Sequence, residues 1–128
     1  MKRGFTLLEL IIVIMIVGIL ATIGFSQYAK VVERGRISEA RFILGSLRTA
    51  EVAYNLEYGN YTSTMGDLAV EVPTACTATH YFSYAADGAA GTSTATRCQA
   101  GGKVPQGTGY TVTILFVNGT FDGTPGYY

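Results

Sequence analysis

Residues 4–29 read GFTLLELIIVIMIVGILATIGFSQYA, and this stretch decides how the chain is built. From Leu10 to Ala29 it carries no charge, a run of about twenty residues, which is what a helix needs to span a hydrocarbon core about 30 Å thick. No polar stripe recurs at the helical period, so every face of such a helix seeks lipid or protein. A cleaved secretory signal has a shorter apolar region with a small-residue cleavage site behind it. Here no such site follows, and helix-compatible sequence continues past Lys30. Taken alone, the stretch predicts a single-pass membrane anchor. Glu9 disturbs that simplicity, because it sits among Phe5, Leu7, Leu8, Leu10 and Ile11. A carboxylate at bilayer depth costs on the order of 2.5–3.5 kcal/mol and usually has a partner. On a helix Glu9 faces Phe5 and Leu8, not Lys2 and Arg3. It is therefore either an interfacial residue at headgroup level or a charge whose partner comes from another molecule.

The junction Lys2-Arg3-Gly4-Phe5-Thr6-Leu7-Leu8-Glu9 resembles that of the type IV prepilin family, in which a basic leader ends in Gly before Phe and a Glu follows the cut. GFTLLELIIVIMIVGILATI matches that pattern throughout. The resemblance implies that a membrane aspartyl prepilin peptidase cuts between Gly4 and Phe5 and methylates the new Phe5 amine. It implies further that the processed chain is drawn from the inner membrane, by an assembly platform and its cytoplasmic ATPase, into a homo-oligomeric filament. In such a filament, Glu9 of one subunit meets the Phe5 amine of a neighbour, whose reference pKa is about 7.7–8.0. Two charges that are each costly in an apolar core compensate each other when paired, which makes Glu9 a register device for assembly. Many pilins carry a proline partway along this helix; here Ser26 stands there. Gly18 and Gly24 permit either local stretching, since each lowers helix propensity by about 1 kcal/mol relative to Ala, or close helix–helix packing. Lys2 and Arg3 before the span and Lys30, Arg34 and Arg36 after it leave orientation undecided by charge. The resemblance and the cysteines place the C-terminal part outside the cytoplasm.

After Lys30 the pattern turns amphipathic. Ala40, Ile43, Leu44, Leu47, Ala50 and Tyr54 recur at three- and four-residue steps and mark one apolar face. Arg34, Arg41 and Arg48 lie largely off it, and Lys30/Glu33, Arg36/Glu39 and Arg48/Glu51 have i,i+3 pairing distance. This charged run is either a solvated face or a bridge between subunits. Gly59 predicts the helix end after Tyr58, so that Phe5 to Tyr58 forms one rod of about 80 Å.

The remainder predicts a small sheet. Thr64-Met65-Gly66-Asp67 has capping-box spacing and predicts a short helical turn before Pro73. Tyr81–Tyr84 and Thr94–Cys98 are short strand candidates joined by a Gly/Ala/Thr loop. Tyr110–Val117 alternates clearly, and Asn118-Gly119 predicts a two-residue hairpin turn into Thr120-Phe121-Asp122. The expected fold class is α+β: a long N-terminal helix, transmembrane then amphipathic, packed against a small C-terminal antiparallel β-sheet, as in pilins. The expected division is 1–4 leader, 5–29 transmembrane or filament-core helix, 30–58 amphipathic continuation and 59–128 globular head. So small a head gains from a staple. Cys76 and Cys98 would close a loop of about twenty residues, worth roughly 3 kcal/mol in an oxidising compartment; two buried thiols are the alternative.

Composition narrows the function classes. Net charge is zero, with one histidine and no tryptophan. No closely spaced carboxylate pair, metal cluster or nucleophile–base pair is evident, so no catalytic residue, metal or cofactor is expected and an enzyme has nothing to support it. Arg97 and Lys103 are too few for a phosphate-tracking surface, so nucleic acid is not an expected partner. His80 is expected to be partly buried. Asn60-Tyr61-Thr62 and Asn118-Gly119-Thr120 fit the N-glycosylation tripeptide, a pattern that arises often by chance in turn-rich sequence. The resemblance therefore implies a structural subunit of a type IV pilus: a single-pass inner-membrane precursor surrounded by lipid, then an extracellular or periplasmic filament. The alternative is a pseudopilin of a type II secretion system, although only Asp122 follows Asp87 where such proteins cluster acids for calcium.

Overall fold

The computed structural model describes residues 4–99 and 109–127. Lys2, Arg3, Lys103 and Tyr128 lie outside the described residues. The chain contains α1 (Leu7–Tyr58), a 3-10 turn at Met65–Asp67, and four strands: β1 (Phe82–Asp87), β2 (Thr92–Arg97), β3 (Thr111–Leu115) and β4 (Phe121–Gly123). It divides into two compact units, Met1–Glu33 and Arg34–Tyr128.

The first unit is helical from Leu7 onward, without interruption at Gly18, Gly24 or Ser26. Its hydroxyls turn back on the backbone. Thr22 Oγ1 donates to the Gly18 carbonyl at 2.7 Å, and Ser26 Oγ to the Ile23 carbonyl at 3.1 Å. This lets polar side chains sit in an apolar helix without an unsatisfied group.

In the second unit, α1 lies on an antiparallel meander of order β1-β2-β3-β4. Ile37, Ala40, Leu44 and Leu47 meet Phe82, Tyr84, Ala95, Val112 and Ile114 in one core. The apolar face expected on the helix is the face that packs, with Ile37 added at its start. Small residues at the contact, Ala40 and Ala95, let helix and sheet approach closely. On the other side of the sheet, threonines pair across strands, as in Thr94 Oγ1 to Thr113 Oγ1 at 3.0 Å. α1 ends where expected, with Gly59 at φ +80 and its N–H donating to the Asn55 carbonyl. Cys76 and Cys98 form a disulfide with a Cα–Cα distance of 5.5 Å, tying the segment ahead of β1 to the end of β2.

Several local expectations are corrected. β1 and β2 run longer than Tyr81–Tyr84 and Thr94–Cys98, because Ala85, Ala86, Thr92 and Ser93 continue the ladder to Asp87↔Thr92 and leave only 88–91 as the turn. Pairing overrides the weak strand preference of alanine and serine. Asn118-Gly119 is not a two-residue turn. Leu115 N–H bonds the Thr120 carbonyl and Gly119 N–H bonds the Leu115 carbonyl, which makes a four-residue connection. Within it Asn118 Oδ1 accepts from both Thr120 N and Thr120 Oγ1, and Gly119 takes the left-handed conformation at φ +71. Thr64 caps nothing with its side chain. Asp67 instead accepts from Thr62 Oγ1 at 3.0 Å. His80 is exposed, not partly buried.

The charged run is corrected too. Arg48 and Glu51 do not pair. Arg48 Nε donates to the Phe116 carbonyl at 2.9 Å, and Glu51 is fully buried with Oε2 accepting from Thr62 N. Arg36 lies over the Tyr81 ring at 4.1 Å and Arg41 over Phe121 at 5.2 Å. These cations fasten the helix to the sheet's flanks and are not simply solvated.

The turn at 88–91 fits closely against residues 61–63. A side chain at Gly88 would overlap the Tyr61 carbonyl, whereas the space around Gly66 is open. Gly88→Ala is expected to lower head stability by about 1–3 kcal/mol, and Gly66→Ala to stay within about 0.5 kcal/mol of the parent. Thermal unfolding of the full chain in detergent, followed by circular dichroism, measures both.

Candidate assembly site

The N-terminal junction is built by a helix cap. Gly4, Phe5 and Thr6 are irregular and exposed, and α1 begins at Leu7. Thr6 Oγ1 accepts from Glu9 N at 3.3 Å, while Glu9 Oε2 accepts from Thr6 N at 2.8 Å and from Thr6 Oγ1 at 2.7 Å. This is a capping box, T-x-x-E, satisfying two helix-end donors reciprocally and placing a carboxylate at the positive end of the dipole. At Thr64–Asp67, where the sequence predicts a cap of the same spacing, no such bond forms. Glu9 thus has an intramolecular role that its apolar neighbours concealed. Among the described residues, Oε2 is the Glu9 oxygen that accepts hydrogen bonds.

Beyond the cap, the helix offers apolar side chains on all sides. Phe5 is 88% exposed, and Leu7, Ile14, Met15, Leu20, Ile23 and Phe25 are all open. α1 is the one helix among the described residues long and apolar enough to cross a membrane.

The second unit carries its own unpartnered strip on the α1 face turned away from the sheet. Phe42 is 77% exposed and Leu56 is 83% exposed. Thr49 and Ala53 lie between them at helical spacing, with no charge at the centre of the strip. The polar side chains along it are already satisfied: Ser38 Oγ donates to the Arg34 carbonyl, Ser46 Oγ to Phe42 and Thr49 Oγ1 to Gly45. Such a strip loses little on desolvation, because burying a bonded hydroxyl leaves nothing unmade.

Other side chains considered for binding are committed elsewhere. Arg97 is buried, with Nη1 donating to the Cys98 carbonyl at 2.6 Å and the guanidinium over Tyr81 and Phe82. Tyr127 stacks on Tyr110 at 4.1 Å. Thr62 of the first glycosylation tripeptide is buried.

Comparison with known proteins agrees with this junction. Residues 1–25 match the family described as "Prokaryotic N-terminal methylation motif". The type IV major pilin protein PilA of Myxococcus xanthus is 38% identical over 90 residues, 70% of this chain and 39% of that protein. A type IV major pilin protein PilE1 of Neisseria gonorrhoeae is 36% identical over 73 residues, 57% of this chain and 44% of that protein. A fimbrial protein of Neisseria meningitidis is 40% identical over 63 residues, 49% of this chain and 37% of that protein. The N-terminal part of the chain is similar to that of these type IV pilins. It spans about two fifths of the length of these curated relatives. The fold adds its own agreement, since a helix laid on a small antiparallel sheet is the pilin arrangement expected from the sequence.

The capping box at this pilin-type N-terminus is separable from any contact that Glu9 makes outside the chain. Thr6→Ala is expected to destabilise the first turn by about 1 kcal/mol. The measurement is amide exchange at Leu8–Leu10 in detergent, where exchange about fivefold faster is expected.

Proposed function

We propose that this protein is a structural subunit of a type IV pilus, processed by prepilin peptidase and assembled through α1 into a helical filament. The carrying observation is the uncovered apolar helix behind a methylation-motif junction. Residues 1–4 are the leader, 5–29 the transmembrane and later filament-core helix, 30–58 its amphipathic continuation and 59–128 the head. Cleavage falls between Gly4 and Phe5. The irregular, exposed backbone there supports this, because a protease needs an extended substrate and finds one directly before the first helical turn. The freed Phe5 amine is methylated and pairs with Glu9 of a neighbouring subunit. The precursor is held in the inner membrane among lipids, with the head on the outer side where its disulfide is stable. An assembly platform and ATPase then draw it into the filament. The strip Phe42–Leu56 supports the same reading, since it gives the head an exposed uncharged surface of its own on α1. The relatives are named as pilins and fimbrial proteins, and no observation favours the secretion pseudopilin.

Intact-mass spectrometry on the subunit of sheared surface fibres tests the proposal. A chain starting at methylated Phe5 with the disulfide closed is expected, and a chain retaining residues 1–4 overturns it. Glu9→Ala is expected to abolish fibres while leaving subunit in the membrane, whereas Thr6→Ala, which removes the cap but keeps the charge, still assembles. Fibres of normal yield from Glu9→Ala would refute the register role. Phe42→Asp and Leu56→Asp should leave the melting of the unassembled chain within about 0.5 kcal/mol of the parent yet reduce fibre yield by an order of magnitude or more. That count is made by electron microscopy.

A further inference from the structure

Glu51 is a carboxylate in the wrong place for a solvated helix. It is 0% exposed, lies on the core side of α1 below Leu47, and has one oxygen bonded to Thr62 N at 3.1 Å. Its other oxygen, Oε1, is buried without a hydrogen-bond partner, and so is Ser93 Oγ. The Tyr61 ring packs on Phe116 at 4.9 Å, and Phe116 N bonds the Gly91 carbonyl, two residues before Ser93. A buried ionised carboxylate with an empty oxygen is far costlier than the neutral acid.

Residues 59–68 reach Glu51 through the Thr62 N–H. That segment is fixed at its far end by Leu68 in the core and Met65 against it; ahead of them it is held by Thr62 N to Glu51, Gly88 N to Ser63 Oγ at 2.9 Å, and Tyr61 against Phe116 and the turn at Gly88. Its other bonds are internal, as in Thr62 Oγ1 to Asp67 Oδ2 and Thr64 N to Thr62 Oγ1. Segments held in this way open before the whole domain unfolds.

We propose that Glu51 is a proton-controlled latch: as the neutral acid it holds the 59–68 segment shut over the core, and as the carboxylate it drives that segment open to water. Burial pushes the Glu51 carboxyl above the usual range, opposed in part by the Thr62 N–H bond. Because the folded group keeps its proton to higher pH than the unfolded one, the stability tied to it is complete below the unfolded value and is lost as pH rises through the folded value. The charged and titratable groups around the site do not offset this. On α1, Arg48 is held at the Phe116 carbonyl, Tyr54 is half-buried and Glu57 faces solvent. The covering segment brings Asp67, and the β1–β2 turn brings Asp87, whose Oδ1 accepts from Ala90 N. From β2, β3 and the residue after it come Ser93, Ile114 and Phe116, none of which titrates near neutral pH. The latch belongs to the folded head and does not depend on filament assembly.

Amide exchange on the full chain in detergent, disulfide intact, tests this across mildly acidic to mildly alkaline pH. After correction for intrinsic exchange, protection at Thr62, Thr64 and Gly88 should fall with rising pH, approaching tenfold per pH unit once Glu51 ionises on opening. Leu115 and Phe116, bonded within the sheet, should hold their protection. Glu51→Gln should remove the slope and Asp67→Asn should keep it. An unchanged slope in Glu51→Gln, a slope lost in Asp67→Asn alone, or no slope in the parent overturns the proposal. Should Glu51→Gln fail to fold, carbon-13 carboxyl titration of the parent decides: Glu51 titrating above the ordinary glutamate range sustains the latch, and titration at or below it removes it.

Discussion

Apolar surface on every side of the first helical unit is the constraint from which the rest follows. Among the described residues, the apolar side chains from Phe5 to Phe25 are exposed, and apolar area left in water costs about 25 cal/mol per Å². A chain built this way must always lie against lipid or other protein. The second unit answers with a different economy: the same helix, now one-faced, closes on a four-strand meander and buries Ala40, Leu44 and Leu47 against Phe82, Tyr84, Val112 and Ile114. One continuous secondary-structure element therefore serves two environments, and the change is written in its hydropathy pattern near Lys30.

The head is small, and its stability is assembled from fastenings around that core. The disulfide from Cys76 to Cys98 anchors the irregular stretch ahead of β1. Arg36, Arg41 and Arg48 clasp ring faces and a carbonyl along the edges of the helix–sheet contact. Residues 61–63 close on the turn at Gly88. Cations that looked like a surface pattern in the sequence turn out to be internal braces, because a helix lying on a narrow sheet places its flanking positions over the outer strands.

Much of the architecture was legible because it rests on strong periodic signals. Hydropathy marked the apolar helix, three- and four-residue spacing marked the packing face, Gly59 marked the stop, and strict alternation marked β3. The losses came where tertiary context outweighs local chemistry. Ala85, Ala86 and Ser93 have little strand preference, so only pairing reveals them as strand. Asn118-Gly119 adopts a longer connection because Phe116 folds inward to bond Gly91. Two features carry a signal in the sequence that a stronger local feature masks. Thr6-Leu7-Leu8-Glu9 has the capping-box spacing, masked by the apolar residues around Glu9. Glu51 falls in phase with Ala40, Leu44 and Leu47, but a charge at such a position is read by habit as the edge of a stripe. At the site, the junction was visible as a motif, while the exposed strip at Phe42 and Leu56 needed the sheet in place to show which face was left over.

The hydroxyls of α1 carry a wider consequence. Thr22, Ser26, Ser38, Ser46 and Thr49 all donate to carbonyls of their own helix. The element thus keeps one internal set of polar bonds whatever surrounds it. Moving it from one apolar medium to another breaks none of them and demands none in exchange. Those hydroxyls therefore add no polar-bonding cost of their own when the surroundings of the helix change from one apolar medium to another.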